Sequence, residues 1–304
     1  MRVVFLGTPD FAVLALRAIN SSKHQVVGVV TQPDRPVGRK GIITPCATKV
    51  EALNLNLQVF SYEKISKEGV DDLKNLNADI LVTCAFGQIL SQEILDIAKH
   101  GVINIHASLL PKYRGSAPIQ YSIINGDSKT GVTIMQTELG VDTGDILMQE
   151  SIDILENETA GELFDRLSVL GAEMIVKALD DIENNKIAPI KQDEEKATHV
   201  KMLSKNDGVI DFNKSATQVN NLIRGLNPWP IAFTTFEGKT LKIYKAKVVD
   251  ISGNPGEVVE NDNKLTIACG ENSISLEEVQ LEGSKRMPIY DFLLGHKIEL
   301  GYKF

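Results

Sequence analysis

Short apolar, β-branched runs alternate with helically spaced segments through roughly the first 185 residues, and that alternation leaves few folds open. Arg2–Leu6, Gln25–Val30 and Ile80–Cys84 read as strands, and Phe11–Ile19 carries apolar residues at helical spacing. Val102–Ile105, Gly131–Gln136 and Ile146–Ile152 follow as strands, with Leu163–Ala178 as a helix. The expectation is an α/β domain with a Rossmann-like open sheet, parallel-rich and wrapped by helices; such sheets bind ligands beyond the carboxyl ends of their strands. Over Lys186–Asn206 the chain turns polar and loses its period, which reads as a linker or an extended crossing segment. Ser215–Arg224 then forms a helix that NPWP stops. The runs Ala232–Phe236, Leu241–Val249, Gly256–Val259, Leu265–Ala268 and Ser273–Val279 are short strands between turns, the pattern of a small β-barrel closed by a helix over Pro288–Leu294. The expected division is 1–189 as one domain, 190–205 as linker and 206–304 as a second domain.

A length of 304 residues suits two cores better than one. No apolar run reaches the ~18 residues a membrane helix needs, so no membrane partner is expected. MRVVFLGTPDFA goes straight into a strand without the pattern of a signal peptide. Cys46, Cys84 and Cys269 are odd in number and widely spaced; they match neither a zinc pattern nor a disulfide framework, so no metal and a reducing, cytoplasmic location are expected. The formal net charge of −8 weighs against nucleic acid as a general partner. Locally, though, Asp34–Lys49 sets Arg35, Arg39, Lys40 and Lys49 against Asp34 alone.

The chemistry concentrates in INIHASLLPKYRG, where Asn104 and His106 sit two apart at a strand end and point to one face. Asp142, in the later GVDTGDIL, completes a candidate Asn–His–Asp set. A lone His at a strand end is usually structural, and an Asp in DTGD is ordinary turn chemistry. Together, without a Ser or Cys nucleophile, the three suit a reaction in which the substrate is the nucleophile and the protein stabilises an oxyanion. A dinucleotide fold would carry G-x-G-x-x-G after its first strand; here Gly7 is followed by Thr8, Pro9 and Asp10, so NAD is not expected. TQPDRPVGRKGIITP reads as a long loop, mobile or functional. Trp229, between Pro228 and Pro230, reads as a core or inter-domain packing residue.

Asn-x-His followed by SLLPKYRG and later by Asp-x-Gly-x-Ile resembles the signature of enzymes that transfer the formyl group of 10-formyltetrahydrofolate. GTPDFA and TQPDRPVGRK resemble the branch of that family acting on methionyl-tRNA, and the likeness spans essentially the whole chain. The resemblance implies that Asn104, His106 and Asp142 are catalytic, with the two donors aimed at the formyl oxygen and Asp142 orienting His106 and accepting the amine proton. It implies that Ser108, Leu109, Leu110 and Pro111, with Phe86, Gly87, Gln88, Ile89 and Leu90, form the folate loops. It implies an oligonucleotide-binding-type barrel at the C-terminus. Contacts to initiator methionyl-tRNA would come from Arg39 first, then Arg35 and Lys40, with Lys245 and Lys247 on the barrel. DNA is not an expected partner, and a monomer is expected. The alternative acceptor in the same family is an amino-sugar nucleotide.

Overall fold

The computed structural model describes residues 1–38 and 40–304, so Arg39, the first of the expected tRNA contacts, lies outside the described residues. The chain divides into two compact units. The first comprises 1–115, 130–152 and 164–199. Its sheet runs through β1 (Arg2–Gly7), β2 (Gln25–Thr31), β3 (Val59–Ser61), β4 (Ile80–Cys84), β5 (Val102–His106), β6 (Lys129–Gln136) and β7 (Ile146–Asp153). Across the sheet the order is β7-β6-β5-β4-β1-β2-β3. β1 is parallel to β2 and β4, β4 is parallel to β5, and β6 runs antiparallel to β5.

Residues Val3–Leu6 and all of β4 are buried, as expected of parallel strands covered on both faces. The chain leaves β1 toward β2 and β3 and returns to β4 on the other side, so the strand order reverses between β1 and β4. That reversal is the topological switch point where open α/β sheets bind ligands. Gly7 and Cys84 finish the two strands in register. The loops GTPDFA and AFGQIL therefore leave the sheet side by side, next to β5.

The helix Ala160–Glu183 covers one face of β5. Its Gly171 lies so close to Ile105 that an added Cβ would sit 3.0 Å from that side chain. Ile105 thus points to the helix, and by strand alternation Asn104 and His106 point to the other face.

The second unit comprises 116–129, 153–163 and 200–304. Its antiparallel sheet is built from β8 (Ala232–Phe236), β9 (Lys239–Val249), β10 (Val258–Glu260), β11 (Leu265–Ala268), β12 (Ser273–Leu281) and β13 (Met287–Pro288). The order β8-β9-β12-β11-β10, with β13 on β12, leaves an open path: a curled half-barrel rather than a sealed cylinder. Register shifts on either side of Lys245, where β9 meets β12, supply the bend. The helix Ala216–Gly225 starts at a capping box formed by Ser215 and Gln218 and buries Val219 and Ile223 in the core with Phe236, Leu241, Ile243 and Phe292. No helix among the described residues is long and apolar enough to cross a membrane.

Two expectations need correction. TQPDRPVGRKGIITP contains a short antiparallel hairpin, Arg35–Val37 against Ile42–Thr44, not a structureless loop. The β-branched Val37, Ile42 and Ile43 take strand conformation in it and remain exposed. Trp229 is not packed inside: it is 53% exposed. Leu226, Pro230 and Ile231 turn inward on either side and leave the indole at the outside of the NPWP turn.

Candidate active site

β5 is apolar at Val102, Ile103 and Ile105, which buries it between β4 and β6 and fixes where its polar positions emerge. Asn104 pairs in register with Thr83 on β4, and the Thr83 hydroxyl shares its proton between Asn104 Oδ1 at 2.9 Å and the Ile103 carbonyl at 3.2 Å. The carbonyl end of the amide is thereby occupied. Among the described residues Asn104 Nδ2 donates to no protein acceptor, and Asn104 is half-buried.

His106 is 5% exposed. Its Nε2 hydrogen-bonds the Tyr113 carbonyl at 3.0 Å, and its Nδ1 faces Asp142 Oδ2 at 3.6 Å. Both ring nitrogens therefore meet acceptor oxygens. Asp142 Oδ2 also accepts the Gly115 N–H at 2.8 Å. Asp142 takes the left-handed conformation, φ +53°, which L residues adopt seldom and Asp more readily than most. Two residues on, a Cβ at Gly144 would lie 1.9 Å from the Gln136 carbonyl, so only glycine lets the Asp142 loop fold this tightly onto β6.

The turn after His106 is tied internally. The Ser108 hydroxyl donates to Lys112 O at 2.6 Å, and Thr133 Oγ1 donates to Ser108 O at 2.6 Å. Thr133 Oγ1 in turn accepts from Leu110 N–H and from Gln149 Nε2, which also donates to Leu110 O. Leu110–Pro111 is a cis peptide. Ser108 and Leu110 are buried and Leu109 is half-buried. In the second loop, the Phe86 carbonyl accepts from Thr8 Oγ1 and Gln32 Nε2, while Gln88 spans from Ile65 N–H to Tyr62 O. Phe86 and Leu90 belong to the core; Gly87 and Ile89 face out, the latter 80% exposed. The polar side chains of both loops hold the loops themselves, which leaves backbone and apolar surface to meet a ligand.

Cys84 ends β4 nearby, but burial pushes its thiol well above the usual range, so it is not a thiolate nucleophile. A groove of about 760 Å³ lies past the other end of β5, lined in part by His100, Gly101, Gln136 and Glu138. It contains none of Asn104, His106 or Asp142. It opens at the amino end of β5, where open α/β sheets do not place their ligands.

Sequence reasoning missed Thr83, Tyr113 and Gln192. The first is the last polar residue of an apolar strand, which is the only local signal it gives. The segment 190–199 is not a free tether. Gln192 Nε2 donates to Asp142 O and Gly144 O, Glu194 grips Arg114, and Thr198 accepts from Tyr113 N–H.

The expected basic residues are in mixed surroundings. Arg35 pairs with Glu63, and Lys40 is exposed. Lys245 and Lys247 both face Glu277, at 3.1 and 3.9 Å.

An amide, an imidazole backed by a carboxylate, and two loops leaving the carboxyl ends of neighbouring strands of an open α/β sheet lie on one side of the β1/β4 reversal. The chain belongs to the formyl transferase family: the formyl transferase model matches residues 1–179, and the model of its C-terminal domain matches 202–297. Methionyl-tRNA formyltransferase of Lachnospira eligens is 49% identical over 310 residues, covering 99% of this chain and 98% of that one. The protein of the same name from Geobacter metallireducens is 45% identical over 305 residues, covering 100% and 98%. Among solved structures, an N-formyltransferase from Helicobacter canadensis in complex with folinic acid and dTDP-3-aminofucose superposes with TM-score 0.70 at 20% identity, covering 94% of this chain and 99% of that one. Methionyl-tRNA formyltransferase from Clostridium thermocellum superposes with TM-score 0.60 at 19% identity, covering 92% and 98%. At these identities the structures speak for the fold.

Proposed function

We propose that this chain transfers the formyl group of 10-formyltetrahydrofolate to the free α-amino group of methionyl-tRNA, making the formylmethionyl initiator for translation. The observation that carries this reading is kinship over both domains, 49% identity across 99% of the chain with a methionyl-tRNA formyltransferase. The cluster of Asn104, His106 and Asp142 is consistent with it.

The amine nitrogen attacks the formyl carbon, and the carbonyl electrons move onto the formyl oxygen. Asn104 Nδ2–H, held outward by Thr83, donates to that oxyanion. An oxyanion is a stronger acceptor than a neutral carbonyl, so the His106 Nε2–H exchanges the Tyr113 carbonyl for it. Asp142 orients His106 and accepts the proton lost by the amine, directly or through water; general-base help of this kind contributes ~10²–10⁴ in rate. As the oxyanion electrons re-form the carbonyl, the C–N10 bond breaks and its electrons return to folate nitrogen; His106 gives that nitrogen the Nε2 proton, and the proton taken by Asp142 passes to the ring at Nδ1, restoring both residues. The products are formylmethionyl-tRNA and tetrahydrofolate.

Ser108–Pro111 and Phe86–Leu90 take the folate, offering backbone groups to the polar edge of the pterin and apolar surface to its rings. Residues 1–189 form the catalytic domain and 206–304 the tRNA-binding domain. Arg39 foremost, with Arg35 and Lys40, contacts the acceptor end of the tRNA, and Lys245 and Lys247 contact its phosphates. The chain works as a cytoplasmic monomer.

The test is to offer the protein 10-formyltetrahydrofolate with methionyl-tRNA, uncharged tRNA or an amino-sugar nucleotide. Formylation of methionyl-tRNA alone is expected. Formylation of the amino sugar in its place would transfer the site to that acceptor.

A further inference from the structure

We propose that Gln192 is a positioning residue for the reaction, holding Asp142 against His106, with Arg114 setting the orientation of the Gln192 amide; this rests on the reading of Asp142 as a catalytic carboxylate. Segments far apart in sequence meet here. The Gln192 amide nitrogen donates to the Asp142 carbonyl at 2.9 Å and to the Gly144 carbonyl at 2.7 Å. The same amide's oxygen accepts from Arg114 Nε at 3.0 Å. The rest of the Arg114 guanidinium forks onto Glu194, Nη1 to Oε2 at 2.9 Å and Nη2 to Oε1 at 2.7 Å. Arg114 is 1% exposed.

Each bond constrains the next. An arginine has donors only, so the group facing its Nε must be the amide oxygen. That leaves the amide nitrogen facing Asp142 and Gly144, where two carbonyls await a donor. Turning the amide over would set NH₂ against N–H on one side and oxygen against two oxygens on the other. Gln192 therefore grips the backbone of Asp142, while the Gly115 N–H, on the residue after Arg114, grips its carboxylate. The left-handed φ of +53° at Asp142 is held from both ends. Without Gln192 the loop keeps its carboxylate contact but loses the backbone anchor that aims Oδ2 at His106. A displacement near 1 Å in a reacting group costs on the order of 10² in rate.

The test is a double-mutant cycle on the full chain, reading kcat and both KM values for formyl transfer. Gln192→Met keeps the size of the side chain and removes its polar atoms. It is expected to lower kcat by about 10²-fold while leaving KM for folate and for methionyl-tRNA within about 2-fold. In an Asp142→Asn background, which already lacks the carboxylate, the same change is expected to cost less than about 3-fold. Gln192→Glu keeps the acceptor for Arg114 but has no N–H for the carbonyls, and its loss should match that of Gln192→Met. Multiplying losses in the cycle, or near-normal kcat in either Gln192 variant, would overturn the proposal. If Gln192→Met does not fold, Gln192→Glu, which keeps the Arg114 contact, decides alone. An unmodified chain that formylates no methionyl-tRNA would defeat the functional reading. An active chain indifferent to Gln192 would defeat only the positioning role.

Discussion

The Thr83 hydroxyl faces two acceptors, Asn104 Oδ1 at 2.9 Å and the Ile103 carbonyl at 3.2 Å, and the shorter bond sets the oxygen end of the Asn104 amide against β4. Thr83→Val keeps the shape of the side chain and removes the bond. The amide then rotates between two orientations, one of them presenting oxygen to the oxyanion. We expect kcat to fall on the order of 10-fold, less than the ~10²–10³ that follows loss of a donor outright, with KM for folate unchanged. A Thr83→Val enzyme with full kcat would show that the Asn104 orientation is set elsewhere.

Gly144 is the tightest point of the loop that carries Asp142. Gly144→Ala drives a methyl into the Gln136 backbone carbonyl, which the sheet cannot move aside. Overpacking of this kind costs roughly 1–3 kcal/mol. The variant should melt several degrees lower and lose transfer activity together with stability. Unchanged melting and unchanged rate would mean that the loop sits farther from β6.

Glu194 tests the outer end of the same network through pH. The hydrogen bonds from Arg114 hold its carboxyl below the usual range, with the Coulombic attraction of the guanidinium adding to them. A depressed carboxyl contributes stability above its unfolded value, ~4.3 for Glu, and loses that contribution as pH falls through the lower folded value. Glu194→Gln should therefore melt below the parent at pH 7, and the gap should close as the pH falls through the lowered folded value. Glu194 is 71% exposed at its side chain, so the gap is small. A gap that widened toward acid would reverse the sign of the assignment.

Lys245 and Lys247 share Glu277 and stay exposed. If they reach tRNA phosphates, changing both to Ala should weaken tRNA binding and flatten its dependence on the logarithm of salt concentration by about 1–2 in slope. Binding of folate should not change. An unaltered salt slope would remove β9 from the tRNA interface.

Most strands were legible because their period is local, though the three-residue edge strand Val59–Ser61 was not. Ile80–Cys84 reads off the sequence residue for residue, and Val102–Ile105 extends only to His106, because β-branched apolar runs between polar breaks have few other uses. The shared face of Asn104 and His106 follows from strand alternation, and their neighbourhood with Asp142 was supplied by family resemblance. What stayed hidden is held by long-range polar contacts. Gln192 and Glu194 sit in a polar, aperiodic stretch, and nothing in their neighbours reveals that one aims at Asp142 and the other at Arg114. The hairpin within Arg35–Thr44 was hidden by Pro36 and two glycines. Trp229 misled by composition: a large aromatic between prolines suggests packing, yet it is the flanking Leu226 and Ile231 that are buried.

The most direct measurement is single-turnover formyl transfer from 10-formyltetrahydrofolate to methionyl-tRNA by the parent chain and by Asn104→Ala and His106→Ala, with folate affinity read in parallel. We expect each variant to slow the chemical step by ~10² or more while binding folate nearly as the parent does. Near-parental transfer by His106→Ala, or a loss explained entirely by weakened folate binding, would contradict an oxyanion site built on these two side chains.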